Sequence, residues 1–187
     1  MPMDPEPKWK EALGSIAPAS GVQWAMKMAD AVDGLCTSKA QLSGITGSVT
    51  FTFNKAIFAA QLLAVAPSPT TAIAAQVMAN CWATAMQASM IVVAPGSSFG
   101  SPAPPTLWSV VIMSMLDVPS IMLAKTALIA ELTVLQFVKE EKKSPLGPAF
   151  RNAFLKCTAT VNGLNSLPPP PAGPGPLPLI VPVVPLM

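Results

Sequence analysis

Three features of this sequence predict a mainly helical domain with at most a small two-stranded β element and an extended, proline-rich C-terminal arm. The first is the stretch Ser68 to Pro95, in which residues 70–93 contain no Gly, no Pro and no charge before Ala94-Pro95-Gly96 stops the run. Ser68 suits a helix N-cap, and Pro69 suits the first helical position, where a missing N–H costs nothing. A helix over Thr70–Val93 would be about 36 Å long, enough to cross a small domain or a bilayer. The second is that alternation of apolar and polar residues, the mark of a half-buried strand, is brief and centres on Gly47–Phe53. The third is the tail from Leu167 to Met187, where nine of 21 residues are proline and the rest are Leu, Ile, Val, Ala, Gly and Met. Such a segment favours extended conformation and forms no core of its own. The chain therefore divides into an extended N-terminal segment with a short helix (1–21), a helical domain (22–166) and the arm (167–187).

Composition narrows the function classes. Only 11% of the 187 residues are charged, against roughly 25% in an ordinary soluble domain. Hydrophobic residues make up 51%, yet there are 22 prolines, no histidine and no tyrosine. A net charge of +2, dispersed along the chain, gives no footprint for a nucleic-acid partner. The densest run, Lys139-Glu140-Glu141-Lys142-Lys143, nearly cancels itself and reads as a solvated helix end. No charge lies between Lys55 and Asp117, and none follows Lys156. Cys36, Cys81 and Cys157 are odd in number and far apart, which fits buried, reduced thiols in a cytoplasmic setting rather than a disulfide framework or a metal knuckle. Met1-Pro2-Met3-Asp4-Pro5-Glu6 lacks a basic region followed by an apolar core, so a secretory signal is not expected.

Taken in order, a short helix is expected around Trp9–Leu13, closed by Gly14. Ser20-Gly21-Val22-Gln23 reads as a capping box for a helix to about Leu35. Gln23, Lys27, Asp30 and Gly34 fall on one face, and Trp24, Met28, Ala31, Val32 and Leu35 largely on the other. Ser38-Lys39-Ala40-Gln41 has the composition to cap one further turn. In Gly47–Phe53, Val49, Phe51 and Phe53 alternate with Ser48, Thr50 and Thr52, predicting a strand. Asn54 is placed to cap a helix over Lys55–Ala66. In the central helix Gln76, Asn80, Thr84 and Gln87 share one face, opposite Met78, Cys81, Trp82 and Met86, as expected of a helix packed on nearly all sides. Pro95–Pro105 is a loop. Thr106–Leu116 is apolar and ambiguous, its length favouring helix. Asp117-Val118-Pro119-Ser120 breaks it, and Ser120 suits the cap of a long helix from Ile121 to about Lys142. Ser144–Pro148 reads as a turn, Phe150–Cys157 as a short helix, and Thr158–Val161 as a strand that would partner Gly47–Phe53. The core residues expected are Trp24, Phe51, Phe58, Leu62, Trp82, Leu128 and Phe154.

Chemistry finds little purchase. Gly96-Ser97-Ser98-Phe99-Gly100 matches G-x-S-x-G, but it lies in a proline-rich loop, and a chain without histidine offers no His as base for Ser98. Lys125 is the conceivable substitute base, with nothing to place it beside Ser98. The cysteines and nine carboxylates show no metal-ligand spacing. The loop at Gly96 lacks the Lys of a phosphate-binding loop. Asp30 and Asp33 read as a solvated helix face, and the eleven methionines as core filler. No catalytic, cofactor-binding or metal-ligating residue, no cofactor and no small-molecule substrate is expected.

Two readings remain. The first is a non-enzymatic structural subunit of a large assembly, whose partners are other structural subunits and copies of itself. Uncharged polar faces meet an interface without the desolvation cost of ions. The interface residues predicted are the stripe Gln76, Asn80, Thr84 and Gln87, together with Leu177, Leu179, Ile180, Val181, Val183 and Val184 of the arm. The second is a small integral membrane protein spanning the bilayer at about 70–93, consistent with a mean hydropathy of +0.52. Against it, Gln76, Asn80 and Gln87 would sit inside the span, and Asp117 and Pro119 interrupt the next candidate, Leu107–Ala124. The stretch Phe150-Arg151-Asn152-Ala153-Phe154-Leu155-Lys156-Cys157-Thr158-Ala159-Thr160-Val161-Asn162-Gly163, running into apolar, proline-rich sequence, resembles the C-terminal ends of tailed-bacteriophage structural proteins. The Pro-Ser-Pro-Thr-Thr opening of the central helix is similar in style. The likeness covers about a third of the chain by composition and carries no functional residues with it. It implies a virion role, in a contractile tail or baseplate assembled in the host cytoplasm.

Overall fold

Two of the helices begin where a side chain replaces a missing backbone partner. A computed structural model describes residues 21–37, 45–46, 48–64, 70–94, 98–99, 106–107, 112–135, 146–159, 162–164, 178–180 and 184–185. Helix α1 spans Gly21–Cys36. Its predicted faces hold: Gln23, Lys27, Asp30 and Gly34 are exposed, while Met28, Val32 and Leu35 are buried. After the short strand β1 (Ile45–Thr46) and β2 (Val49–Thr52), Asn54 Oδ1 accepts the Ile57 N–H at 3.1 Å and starts α2, Lys55–Leu63. This is the cap the sequence predicts, although the helix ends at Leu63 rather than Ala66.

The central run divides differently from the expectation. Helix α3 covers Thr71–Gln87, with Thr70 rather than Ser68 as its cap: Thr70 Oγ1 accepts the Ile73 N–H at 3.3 Å. It stops because Ser89, fully buried, turns the chain. Ser89 Oγ donates to the Ala85 carbonyl at 2.8 Å and accepts the Asn54 N–H at 3.0 Å. Met90-Ile91-Val92-Val93 then forms strand β3. Its β-branched residues suit a pleated surface once a partner is present.

That partner is β2. Phe51 lies opposite Ile91 and Val49 opposite Val93, which puts the apolar alternation of both strands on one inner face. On the other side of β3 lies β6, Ile112–Met115, antiparallel with Met90 opposite Met115. Two short strands, β4 (Ser98–Phe99) and β5 (Thr106–Leu107), pair antiparallel with each other in the same register that β3 and β6 keep. Strand β1 pairs with β4, displaced by two residues from the register that β2 keeps with β3. Two expectations are corrected here. Thr106–Leu116 is strand where it is described, because a neighbouring strand outweighs the length argument for helix. The predicted pairing of Thr158–Val161 with Gly47–Phe53 is not made where it is described: Val49–Thr52 pairs with β3, and Ala159 bridges Leu116 instead.

Helix α4, Val118–Leu135, starts before the predicted Ser120. The Asp117 carbonyl accepts the Ile121 N–H at 3.1 Å, and Pro119 sits in the first turn, where no N–H is needed. Ser120 instead ties α4 to the end of the domain: its Oγ accepts the Thr158 N–H at 2.9 Å. Helix α5 runs Leu146–Leu155, one turn earlier than expected, so residues 146–148 of the predicted turn are helix instead, Pro148 sitting in the first turn where no N–H is needed. The predicted continuation of α4 to Lys142 lies outside the described residues, as do the capping box at Ser20, the turn at Ser38, the short N-terminal helix and Ser144. Short strand β7, Thr158–Ala159, follows α5, and Ala159 bridges Leu116 at the end of β6.

Successive helices pack side by side, with α3 against α4 the largest contact. The array is closed by aromatic rings. Phe154 of α5 meets Trp82, Phe53 and Phe51 edge-on, with centroids 5.6, 5.9 and 6.2 Å apart, and Phe150 meets Phe58 at 6.4 Å. The two ends of the domain are thus joined, by rings rather than by the predicted strand pair. Phe51, Phe58, Leu62, Trp82, Leu128 and Phe154 are buried as expected, and Trp24 packs half-buried against them. The class is as predicted: mainly helical, with a small antiparallel sheet.

Candidate interaction surfaces

The chemically reactive groups are placed for structure. Cys36, Cys81 and Cys157 are free and buried. Burial holds the Cys36 thiol well above its ordinary range, with Asp33 nearby adding to the effect, and its Sγ donates to the Val32 carbonyl at 3.0 Å. Burial likewise raises Cys81 and pushes Cys157 up to about 12. Such thiols are poor nucleophiles at neutral pH. Ser98 lies in β4, opposite Thr46 and Leu107, not on a strand-to-helix turn. No group of three or more metal-ligating side chains occurs among the described residues.

Asp30 and Asp33 do more than face solvent. Lys55 Nζ lies 3.0 Å from Asp30 Oδ1 and 3.3 Å from Asp33 Oδ2, joining α1 to the start of α2. The hydrogen bond that Lys55 donates to Asp30, followed by the one to Asp33, raises the Lys55 pKa. Asp33 also accepts a short hydrogen bond from Thr37 Oγ1, which in turn accepts the Phe53 N–H at 3.0 Å. This fastening joins groups far apart in sequence, so helical spacing alone gives no sign of it.

The predicted polar stripe is on the surface. Gln76, Asn80 and Thr84 are exposed and Gln87 is half-buried, on the outer side of a helix that otherwise exposes only Ala72 and Ile73 near its start. Thr84 Oγ1 donates to the Asn80 carbonyl at 3.0 Å, so that hydroxyl is satisfied within the helix. Of the arm residues, Leu179 and Ile180 fall in β9 (Pro178–Ile180) and Val184 in β10 (Val184–Pro185). Leu177, Val181 and Val183 lie outside the described residues. The stripe and the arm are therefore two separate features, and no described contact joins them.

A larger surface feature was not singled out by sequence reasoning. Helix α4 buries Ile121, Ala124, Leu128 and Leu132 against the domain. Its other side presents Met122, Leu123, Thr126, Ala130, Thr133 and Val134, with Leu123 72% and Val134 81% exposed. Lys125 and Glu131 lie at the margins of the buried side, leaving the outer arc uncharged. Beside its C-terminal end a depression of about 350 Å³ is lined by Ala130, Glu131, Val134, Leu135, Pro148 and Ala149. The sequence did hold a signal: apolar residues recur all round α4 instead of on one stripe, as in a helix covered on every side.

No family model matches the chain, and neither the curated proteins nor the solved structures contain a significant match.

Proposed function

We propose that this chain is a non-enzymatic structural subunit of a large multi-subunit assembly, of the kind that builds tailed-phage virions, in a contractile tail or baseplate. Its partners are copies of itself and other structural subunits, met through helix faces and the arm 167–187. The observation that carries the reading is the outer face of α4. An uncharged helix face with Leu123 and Val134 largely exposed is a poor surface to leave in water and a good one to cover with protein. The exposed, uncharged stripe of Gln76, Asn80 and Thr84 on α3 is compatible with a polar contact at the same kind of boundary. The virion assignment rests on the resemblance of residues 150–163 and the apolar arm after them.

A second reading, a small integral membrane protein, is favoured by one observation. Helix α4 is long and apolar enough to cross a membrane by length and composition. The span predicted at 70–93 is divided between α3 and β3, so α4 is the segment this reading needs. Expression of the full chain, fractionation without detergent and light scattering of the remaining species separate the two. A detergent-free particle of defined mass, several times that of one chain, is the expected result. Recovery only with detergent would sink the assembly reading, and a detergent-free monomer would sink both.

A further inference from the structure

Helix α4 carries a knob and a hole on one side. At about 100° per residue, Leu123, Ala130 and Val134 fall on one flank of its outer face, and Met122, Thr126 and Thr133 on the other. Leu123 stands 72% exposed, about 7.5 Å N-terminal of the level of Leu128. The depression lined by Ala130, Glu131, Val134, Leu135, Pro148 and Ala149 is centred about as far C-terminal of that level, on the same flank as Leu123. Between knob and hole the outer face carries Thr126 and Ala130, small side chains that let a second helix come close.

This face can lose its water without stranding a polar group. Thr126 Oγ1 donates to the Met122 carbonyl at 3.0 Å, and Thr133 Oγ1 donates to the Ile129 carbonyl at 2.8 Å, so neither hydroxyl gives up a bond when it is covered. At the edge of the depression the Glu131 carboxylate accepts from Asn152 Nδ2 at 3.4 Å. The described strands of the arm are engaged elsewhere on their own chain: Pro178–Ile180 pairs with β8 (Asn162–Leu164) and Val184–Pro185 with β7. Half the girth of an 18-residue helix offers up to roughly 500 Å², so two copies bury up to roughly 1,000 Å², about the least that a specific interface uses. The whole face is therefore needed, and an arrangement that seats both knobs uses all of it.

We propose that two copies of this chain pair through α4, antiparallel about a two-fold axis at the level of Leu128, with each Leu123 seated in the depression of the other copy. This rests on the assembly reading and specifies one of its contacts. A two-fold contact is self-complementary, bringing together residues of one flank at opposite heights. Leu123 of each copy then meets Ala130 and Val134 of the other, and Met122 meets Thr133, while Thr126 and Ala130 each lie near their own counterparts. The outer face is uncharged, so no like charges oppose the contact. A parallel pair would set Leu123 against Leu123 and leave both depressions unfilled, and a lipid surface has no knob to offer them.

The test introduces one cysteine at a time on the full-length chain and treats it with a short bismaleimide. The three native thiols are buried, and the unmodified chain checks that they stay silent. Ala130→Cys should give a covalent dimer, and so should Thr126→Cys on the other flank if the first variant does not fold. Leu123→Cys should not link to itself, because the two sites lie about 15 Å apart along the helices, but should link to a co-expressed, differently tagged Val134→Cys chain. Adding Leu123→Ser to Ala130→Cys should abolish the dimer, whereas Leu123→Met should keep it. Absence of a dimer from both Ala130→Cys and Thr126→Cys, or efficient linking of Leu123→Cys to itself, would overturn the pairing. Light scattering on the same samples keeps the two ideas apart. A detergent-free oligomer without these links refutes the pairing and leaves assembly standing. A detergent-free monomer, or recovery only with detergent, refutes both.

Discussion

Helices α3 and α4 are nearly equal in length, 17 and 18 residues, and neither is strongly charged, yet they meet their surroundings in opposite ways. Nine residues of α3 are buried against four of α4. The narrow face that α3 leaves open is polar along most of its length, where Gln76, Asn80 and Thr84 can bond to water, with Ile73 exposed near its start. The broad face that α4 leaves open carries Leu123 and Val134. Composition alone makes the two look alike. Burial separates a helix completed within one chain from a helix whose outer side calls for cover, and the α4 face is therefore the better candidate for contact with another molecule.

The largest expected effect probes the completed helix. Trp82→Ala should cost about 4 kcal/mol, because a fully buried side chain touching Phe154 is lost from a packed core. Urea denaturation of the detergent-free protein measures it. Trp82→Phe should cost much less, since the buried Nε1 has no hydrogen-bond partner among the described residues and loses nothing when removed. The same contrast exists within α4. Leu128→Ala, at a fully buried position, should destabilise by about 3 kcal/mol. Leu123→Ser should change the stability of the dissociated chain by less than about 0.5 kcal/mol, while reducing particle mass in light scattering if the face is an interface. Equal effects of the two substitutions on folding would erase the distinction between inner and outer sides.

Ser89→Ala tests the point where α3 gives way to strand. It leaves the Asn54 N–H without its acceptor and should cost about 1–2 kcal/mol by the same urea measurement. The buried thiols set a pH dependence. Below about pH 8.5 they are protonated in both folded and unfolded chains, so stability does not depend on them. Above that, the unfolded chain releases protons while Cys157 holds its own up to about 12, so stability falls as pH rises. The slope for this thiol should reach at most about 1.4 kcal/mol per pH unit and disappear in Cys157→Ala, read from urea midpoints at pH 8 and pH 10.

Much was determined by local pattern alone. The two faces of α1, the Asn54 cap of α2, the stripe of Gln76, Asn80 and Thr84 and the core positions of Phe51, Phe58, Trp82 and Phe154 follow from side-chain period and capping chemistry. These features depend on residues within a turn or two of one another. The burial of the three cysteines was legible from their odd number and wide spacing, which fit neither a disulfide framework nor a metal site. Only tertiary structure decided that Met90–Val93 leaves the helical run. An apolar stretch fits helix or strand equally until an edge is available, and β2 supplies that edge from about 40 residues away. The same nonlocality made Phe154 rather than Thr158–Val161 the link between the ends of the domain, and left one side of α4 uncovered. Which face of an all-apolar helix turns inward is set by its neighbours, so α4 acquires an inside and an outside only when α3 and α5 pack against it.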